Sequence, residues 1–393
     1  MKKYSLINNV LGWVVFLIAT TVYLLTAEPT VPWWDCGEYT ATADKLQVGH
    51  PPGAPTFQLI GSLFSIFAGS DTSLVAYAMN AMSAICSGFT ILFLFWTITM
   101  LAKKLVKNKE EMTLGQMIAI FASGVVGSLA YTFSDTFWYS AVESEVYAMS
   151  SCFTAISFWA ILKWEAEADD KHNLRWLILI AFLIGISIGV HLLNLLAIPA
   201  ITYVFYFKKY PNVEKNKKRN FILVGIISML LVAIILYFIV PYIVIFAGKF
   251  EIFFTNSIGL PFNTGTIVYF ALLIGLLVWG VWYSIKKQKV ILNTALLSVL
   301  FILIGYTTFF VLVIRSNANT PINENAPKDA TALLTYLNRE QYGYTPLFHG
   351  QYYNAMVVDQ QESSSKYIKD KESGKYIEVK QRQNNYFPSY VVK

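Results

Sequence analysis

Residues 9–39 read NVLGWVVFLIATTVYLLTAEPTVPWWDCGEY, an uncharged apolar run that ends in a tryptophan-flanked acidic motif. The run 9–27 is long enough to cross a bilayer, which takes about 17–25 predominantly apolar residues. Within lipid only helices and closed barrels satisfy every backbone polar group, and a run of this length without alternation reads as a helix. Met1-Lys2-Lys3 ahead of it resembles the start of a signal peptide. No small-residue cleavage site follows, and Glu28-Pro29-Thr30 leads straight into the acidic motif, so a retained first helix is expected.

The pattern repeats outward from this stretch. Hydrophobic residues make up 55% of the chain and charged residues 14%, against about 25% charged in a soluble domain. About nine spans are expected, at 9–27, 73–100, 113–133, 146–163, 176–190, 195–207, 221–247, 265–285 and 290–314. The fifth and sixth are short and abut at His191-Leu192-Leu193-Asn194. The fold class is therefore all-α integral membrane, with a transmembrane part over 1–314 and a polar tail over 315–393.

Lysines and arginines collect at Lys2 and Lys3, in the loops 103–109, 163–175 and 208–219, and at 286–289. With nine spans these are alternate loops, which the positive-inside rule assigns to the cytoplasm. Merging the two short spans destroys that agreement, so two separate helices are expected. The charge of +6 thus follows membrane topology and gives no nucleic-acid footprint. The loops 28–72, 134–145, 191–194 and 248–264, and everything after Ile314, fall on the outer side. Within the first of these, His50-Pro51-Pro52-Gly53-Ala54-Pro55 makes a turn into 56–68, a stretch too short to cross and expected to lie in the interface. A short amphipathic helix is expected at 328–337. Beyond Gln351 the tail is polar and short of apolar periodicity.

The outer face therefore collects the chemistry-bearing residues. Asp35 and Glu38 are three apart and share one face of a helical turn. Trp33, Trp34 and Tyr39 suit the headgroup level, and the tryptophans with Gly37 suggest a shaped, partly desolvated turn. A general base needs a carboxylate with a raised pKa within reach of a hydroxyl. A solvated pair at a span end is the plainer explanation. Glu143 and Glu145 open the fourth span, where the helix dipole alone would favour an anion. His191 and Asn194 occupy the turn between the short spans, and His50 precedes two prolines; hydrogen-bonded structural roles would also explain them. Arg315 ends the last span, where snorkelling is the plain reading and capture of a phosphate the functional one. Lys45 and Lys249 are spare cations. Three cysteines give no disulfide framework; Cys36 reads as an incidental small residue and Cys86 and Cys152 as core. No zinc spacing or Gly-rich phosphate loop stands in its required context. No cofactor is implied with certainty, and a divalent cation on the acidic pairs stays open.

The segments Trp34-Asp35-Cys36-Gly37-Glu38, Val48-Gly49-His50-Pro51-Pro52-Gly53-Ala54-Pro55 and Gly189-Val190-His191-Leu192-Leu193-Asn194 resemble a family of bacterial membrane proteins formerly of unknown function. That family is similar to the protein O-mannosyltransferases of the GT-C glycosyltransferase superfamily, and the resemblance runs over residues 1–353. It implies a multi-span fold whose first outer loop carries the catalytic acid residue, which with the lysine pattern puts the chain in the bacterial cytoplasmic membrane, N-terminus in the cytoplasm and active face outside. It also implies a polyprenyl-phosphate sugar donor and an exported protein acceptor. By position Asp35 matches the superfamily's catalytic Asp and Glu38 the acidic residue beside it, whereas Glu143 and Glu145 correspond only loosely to a second acidic motif. Members of the family commonly continue into a long extracytoplasmic region, so 315–393 is expected to be the start of such a region in a truncated relative or a fragment. A transporter or lipid flippase, and a non-catalytic relative, remain the alternative readings.

Overall fold

The computed structural model describes residues 2–107, 112–210, 216–343 and 349–391; parts of the expected basic loops 103–109 and 208–219 lie outside the described residues. Helix dominates, and seven helical segments among the described residues are long and apolar enough to cross a membrane: Lys2–Thr26, Thr72–Lys104, Leu114–Thr132, Val146–Ala166, Lys217–Ser257, Thr264–Lys286 and Val290–Asn317. The chain is a multi-pass membrane protein. Seven of the nine expected spans correspond to these segments. The other two correspond to shorter helices of 15 and 13 residues, about 20 Å each at 1.5 Å per residue, less than the roughly 30 Å of a hydrocarbon core.

The chain divides into two compact units, Met1–Gly49 with Ala54–Ile234 and Gly280–Val311, and His50–Gly53 with Ile235–Trp279 and Leu312–Lys393. In the first, α1 (Lys2–Thr26) is followed by the short α2 (Cys36–Lys45) and α3 (Pro55–Ser65), then α4 (Val75–Lys104), α5 (Leu114–Thr132), α6 (Asp135–Ala141), α7 (Val146–Ala166), α8 (Leu174–Ile188), α9 (Ala197–Lys209) and α10 (Lys217–Ile234). Helix α4 is the centre: α1, α5 and α7 pack against it. One core joins Val15, Ala19 and Tyr23 of α1 to Ala84, Ile91 and Phe95 of α4 and to Phe137 of α6. The expected interfacial stretch forms α3 and one 3₁₀ turn, burying Phe57, Gln58 and Gly61 while exposing Leu63, Ile66 and Phe67.

The two short spans are separate helices. Helix α8 stops at Gly189, His191 is extended (φ −163°, ψ 147°), and a 3₁₀ turn, Leu192–Leu196, leads into α9. The amide of Asn194 donates to the Ser187 hydroxyl at 2.8 Å, tying the turn back to α8. Helix α8 also packs against α13 (Val290–Tyr306). There a Cβ on Gly185 would lie 2.3 Å from the Ile302 carbonyl oxygen, and one on Gly305 2.3 Å from the Ile186 nitrogen. In lipid, where apolar side chains gain little by leaving their surroundings, such backbone approach is a main source of helix association.

The second unit holds α11 (Val240–Ile252), which continues α10 through a five-residue π-helical segment and ends in another, Phe253–Ser257. It also holds most of α12 (Thr264–Lys286), the end of α14 (Phe310–Asn317), and α15 (Ala330–Leu337). Asp329 caps α15, its carboxylate accepting from the backbone of Thr331 and Ala332 at 3.0 and 2.9 Å. The polar tail is not structureless. It forms an antiparallel pair, β1 (His349–Asp370) and β2 (Lys375–Val391), with Tyr367 opposite Glu378 and Ile368 opposite Ile377.

Candidate functional site

The acidic motif starts α2. Trp34 takes a left-handed backbone (φ 65°), and Asp35 is the residue at the helix N-cap, its carbonyl accepting from the Tyr39 amide at 2.9 Å. The preceding strand of chain is held by α4: the Asn80 amide donates to the carbonyls of Glu28 and Thr30 at 2.6 and 3.1 Å. Trp33 and Trp34 are exposed, and so is Asp35. The expectation of a partly desolvated turn is therefore not met at Asp35, which stands exposed. Glu38, one turn on, is half-buried. A Cβ at Gly49 would sit 2.6 Å from its Oε1, so the carboxylate lies over bare backbone that any other residue would obstruct.

The second acidic pair sits against α2. Glu143 and Glu145 are 6% and 7% exposed, and Ser144 between them is fully buried. Cys36 Sγ lies 3.9 Å from Glu145 Oε1, and the hydroxyls of Thr40 and Ser144 are 3.3 Å apart. Glu145 also caps α7, accepting from the Val146 amide at 3.3 Å. Burial, and then the charge of Glu145, push the Glu143 carboxyl up to about 7. Burial, followed by the charges of Glu145 and Glu143, pushes the Cys36 thiol up to about 12. The Tyr39 hydroxyl is raised in the same way, by burial first and then by Glu145, Asp35 and Glu38. Tyr39 is thus the buried phenol around which three of the candidate carboxylates gather.

His191 belongs to the same unit. Its Nδ1 accepts from the Leu193 amide at 3.1 Å, and its ring lies 5.5 Å from that of Tyr147. Burial lowers its pKa. With Nδ1 accepting, the proton of the neutral ring sits on Nε2, which leaves that nitrogen a donor. Asn194 is fully buried, and its side-chain oxygen has no partner. Beside this turn a cavity of about 660 Å³ runs between α4, α5 and α7, lined by Thr90, Leu94, Tyr131, Phe158, Leu193 and Leu196 among others.

His50 and Arg315 fall in the other unit. His50 starts the Pro-Pro-Gly turn, its carbonyl accepting from Gly53 at 2.8 Å, and Arg315 is half-buried in the last turn of α14. Lys45 pairs with Asp44 at 2.8 Å, and Lys249 is exposed. Among the described residues no three His, Cys, Asp or Glu side chains are placed to hold one metal ion, and the divalent cation left open by the acidic pairs is assigned no residues.

The site residues of the first unit lie within a stretch that matches a known family. Residues 35–214, beginning at Asp35 itself, match the protein O-mannosyl-transferase TMEM260 N-terminal domain. The chain resembles the protein O-mannosyl-transferases. It is 28% identical over 156 residues to the protein O-mannosyl-transferase tmem260 of Dictyostelium discoideum, a match covering 40% of this chain and 17% of that protein. It is 25% identical over 175 residues to the mouse protein O-mannosyl-transferase TMEM260, covering 44% of this chain and 22% of that protein. The matched stretch thus spans less than a quarter of either relative. No solved structure matches the chain.

Sequence reading missed several members of the site. Cys36, read as incidental, touches Glu145, and Tyr39, Asn80, Ser144 and Tyr147 acquire their roles from partners remote in the chain. The Asn80 amide in the middle of an apolar run was the one signal available, since a buried amide in a span needs a reason.

Proposed function

We propose that the chain is a membrane glycosyltransferase that moves a sugar, mannose, from a polyprenyl-phosphate donor to a Ser or Thr hydroxyl of an exported protein. The observation that carries this reading is the gathering of Asp35, Glu38 and Glu145 around Tyr39 at one end of α1, α4 and α7, within the stretch that resembles protein O-mannosyl-transferases. Asp35 acts as general base: exposed at the start of α2, it is open to an incoming hydroxyl. The acceptor oxygen forms its bond to the anomeric carbon as the carbon–oxygen bond to the donor phosphate breaks. The hydroxyl proton passes to Asp35, and the electron pair leaves with the polyprenyl phosphate. A positioned base of this kind contributes about 10²–10⁴-fold. Glu38, seated over Gly49, orients the acceptor.

The neutral His191 donates from Nε2 to the donor phosphate as charge develops there, and the Asn194 amide holds its turn in place. The adjoining cavity between α4, α5 and α7 suits an apolar polyprenyl chain. The topology that fits this chemistry puts the lysine-rich helix ends in the cytoplasm and the carboxylates and the 315–393 tail on the extracytoplasmic side of a bacterial inner membrane.

Membranes containing the chain, supplied with radiolabelled polyprenyl-phosphate mannose and an extract of exported proteins, test the reading. Label released from protein by base, as expected for a Ser or Thr linkage, supports it. Folded protein that transfers nothing from this donor contradicts it.

A further inference from the structure

At the other end of α1, α4 and α7 lies a second cavity, of about 830 Å³, unrelated to the carboxylates. Helix α1 runs from Lys2 toward the acidic motif, and α7 runs from Glu145 to Lys163. With about 1.5 Å per residue, some 30 Å of helix separates the two ends. Five lysines line this cavity against a single glutamate: Lys2 of α1, Lys103 and Lys104 of α4, Lys163 of α7 and Lys208 of α9, facing Glu165. Below the lysines the walls turn apolar, with Trp96, Met100, Trp159 and Leu162, and the rings of Trp96 and Trp159 are 5.7 Å apart. Ser5, Asn8 and Thr99 add polar groups, and the side-chain oxygen of Asn8 is buried with no hydrogen-bond partner.

Lysines at helix ends are ordinary in membrane proteins and need no ligand. Here they rim a concavity of the size that small-molecule sites have. Three of them already have ion-pair partners, and Lys163 pairs with Glu167 at 3.1 Å. Lys104 pairs with Glu165 and Lys208 with Asp169, both at partly exposed positions where an ion pair contributes little. Lys103 also lies 4.7 Å above the Tyr4 ring.

We propose that this cavity binds the phosphate headgroup of an anionic phospholipid. The lysines surround the phosphate, the Asn8 oxygen accepts from a headgroup hydroxyl, and the tryptophan–leucine floor takes the glycerol and the first acyl carbons. A basic pocket between the ends of membrane-spanning helices is where such a headgroup sits without leaving its leaflet. The site would tie bundle stability to the anionic lipid around it, independently of any transferase activity.

The test titrates short-chain phosphatidylglycerol, phosphatidylcholine and inorganic phosphate into the full chain in neutral detergent, reading both affinity and thermal unfolding. Phosphatidylglycerol should bind and raise the unfolding temperature, and phosphatidylcholine should do neither. The double variant Lys2→Gln/Lys103→Gln should lose about thirtyfold in affinity, at roughly fivefold per lysine near the phosphate. Lys2→Arg/Lys103→Arg should keep the affinity. Lys217→Gln/Lys218→Gln, which removes lysines that do not line the cavity, should change it less than twofold. Equal losses in the two Gln variants, or equal binding of the two lipids, would overturn the site. Inorganic phosphate binding as tightly as the lipid would overturn the lipid as its occupant. Should the Lys2/Lys103 variant fail to fold, the lipid dependence of wild-type unfolding still decides.

Discussion

At Glu143, burial and the charge of Glu145 raise the carboxyl from 4.5 to about 7. Between those values the folded protein holds a proton that the unfolded chain has released. Stability therefore falls as pH rises through this window, and the full cost is present above pH 7. Glu143→Gln removes the titration. Its thermal unfolding should match wild type near pH 4 and show a gain of about 1–3 kcal/mol at pH 8; a gain independent of pH would contradict the account. Asp35 and Glu38 were legible from the sequence because two carboxylates among tryptophans beside an apolar run are costly to place. Cys36 was not, because its partner Glu145 stands 109 positions away. The exposure of Asp35 agrees with the plainer of the two readings, a solvated carboxylate at a span end.

Among the elements, α8 and α13 meet backbone to backbone, which makes their glycines unforgiving. Gly305→Val puts atoms into a space where a Cβ would already lie 2.3 Å from the Ile186 nitrogen. We expect it to cost about 3 kcal/mol or more, read as early thermal loss of helicity in detergent, and wild-type unfolding would show that the helices separate freely. In the second unit the β-hairpin is anchored through Tyr376. Its backbone nitrogen and oxygen pair with the Asn256 side chain, both at 2.8 Å, and its hydroxyl donates to the buried Glu251 at 3.4 Å. Thr266 donates to the same carboxylate through its backbone and its hydroxyl, each at 3.0 Å. Tyr376→Phe removes one donor from that carboxylate, which keeps the Asn263 and Thr266 donors; it should cost about 0.5–1.5 kcal/mol and speed hydrogen exchange at the start of β2 while leaving α1–α7 unchanged. Uniform exchange rates across wild type and variant would sink the anchor. The hairpin was missed as an element because its residues are mostly polar and show no sustained apolar alternation in the sequence. The turn signal was present in Asp370-Lys371-Glu372-Ser373-Gly374, where Asp370 accepts from the Glu372 and Ser373 amides and Gly374 takes φ 67°.

For the whole molecule, apolar run length carried most of the fold. Seven expected spans correspond to helices long enough to cross a bilayer, because in lipid one constraint, internal satisfaction of the backbone, overrides local propensity. Run length says nothing about how α8 and α9 sit in a membrane, since each is too short to declare itself. The break between them was legible at His191-Leu192-Leu193-Asn194, and the Asn194–Ser187 bond that ties the turn back to α8 was not. The central claim, that the end of the bundle bearing α2 is a transferase site with Asp35 as its base, is tested most directly by one comparison. Transfer of label from polyprenyl-phosphate mannose to protein is measured for wild type and Asp35→Asn at matched expression and matched unfolding temperature. The account predicts a loss of about 10²–10⁴-fold with folding intact. Equal transfer by the two proteins would remove Asp35 from the chemistry and contradict it.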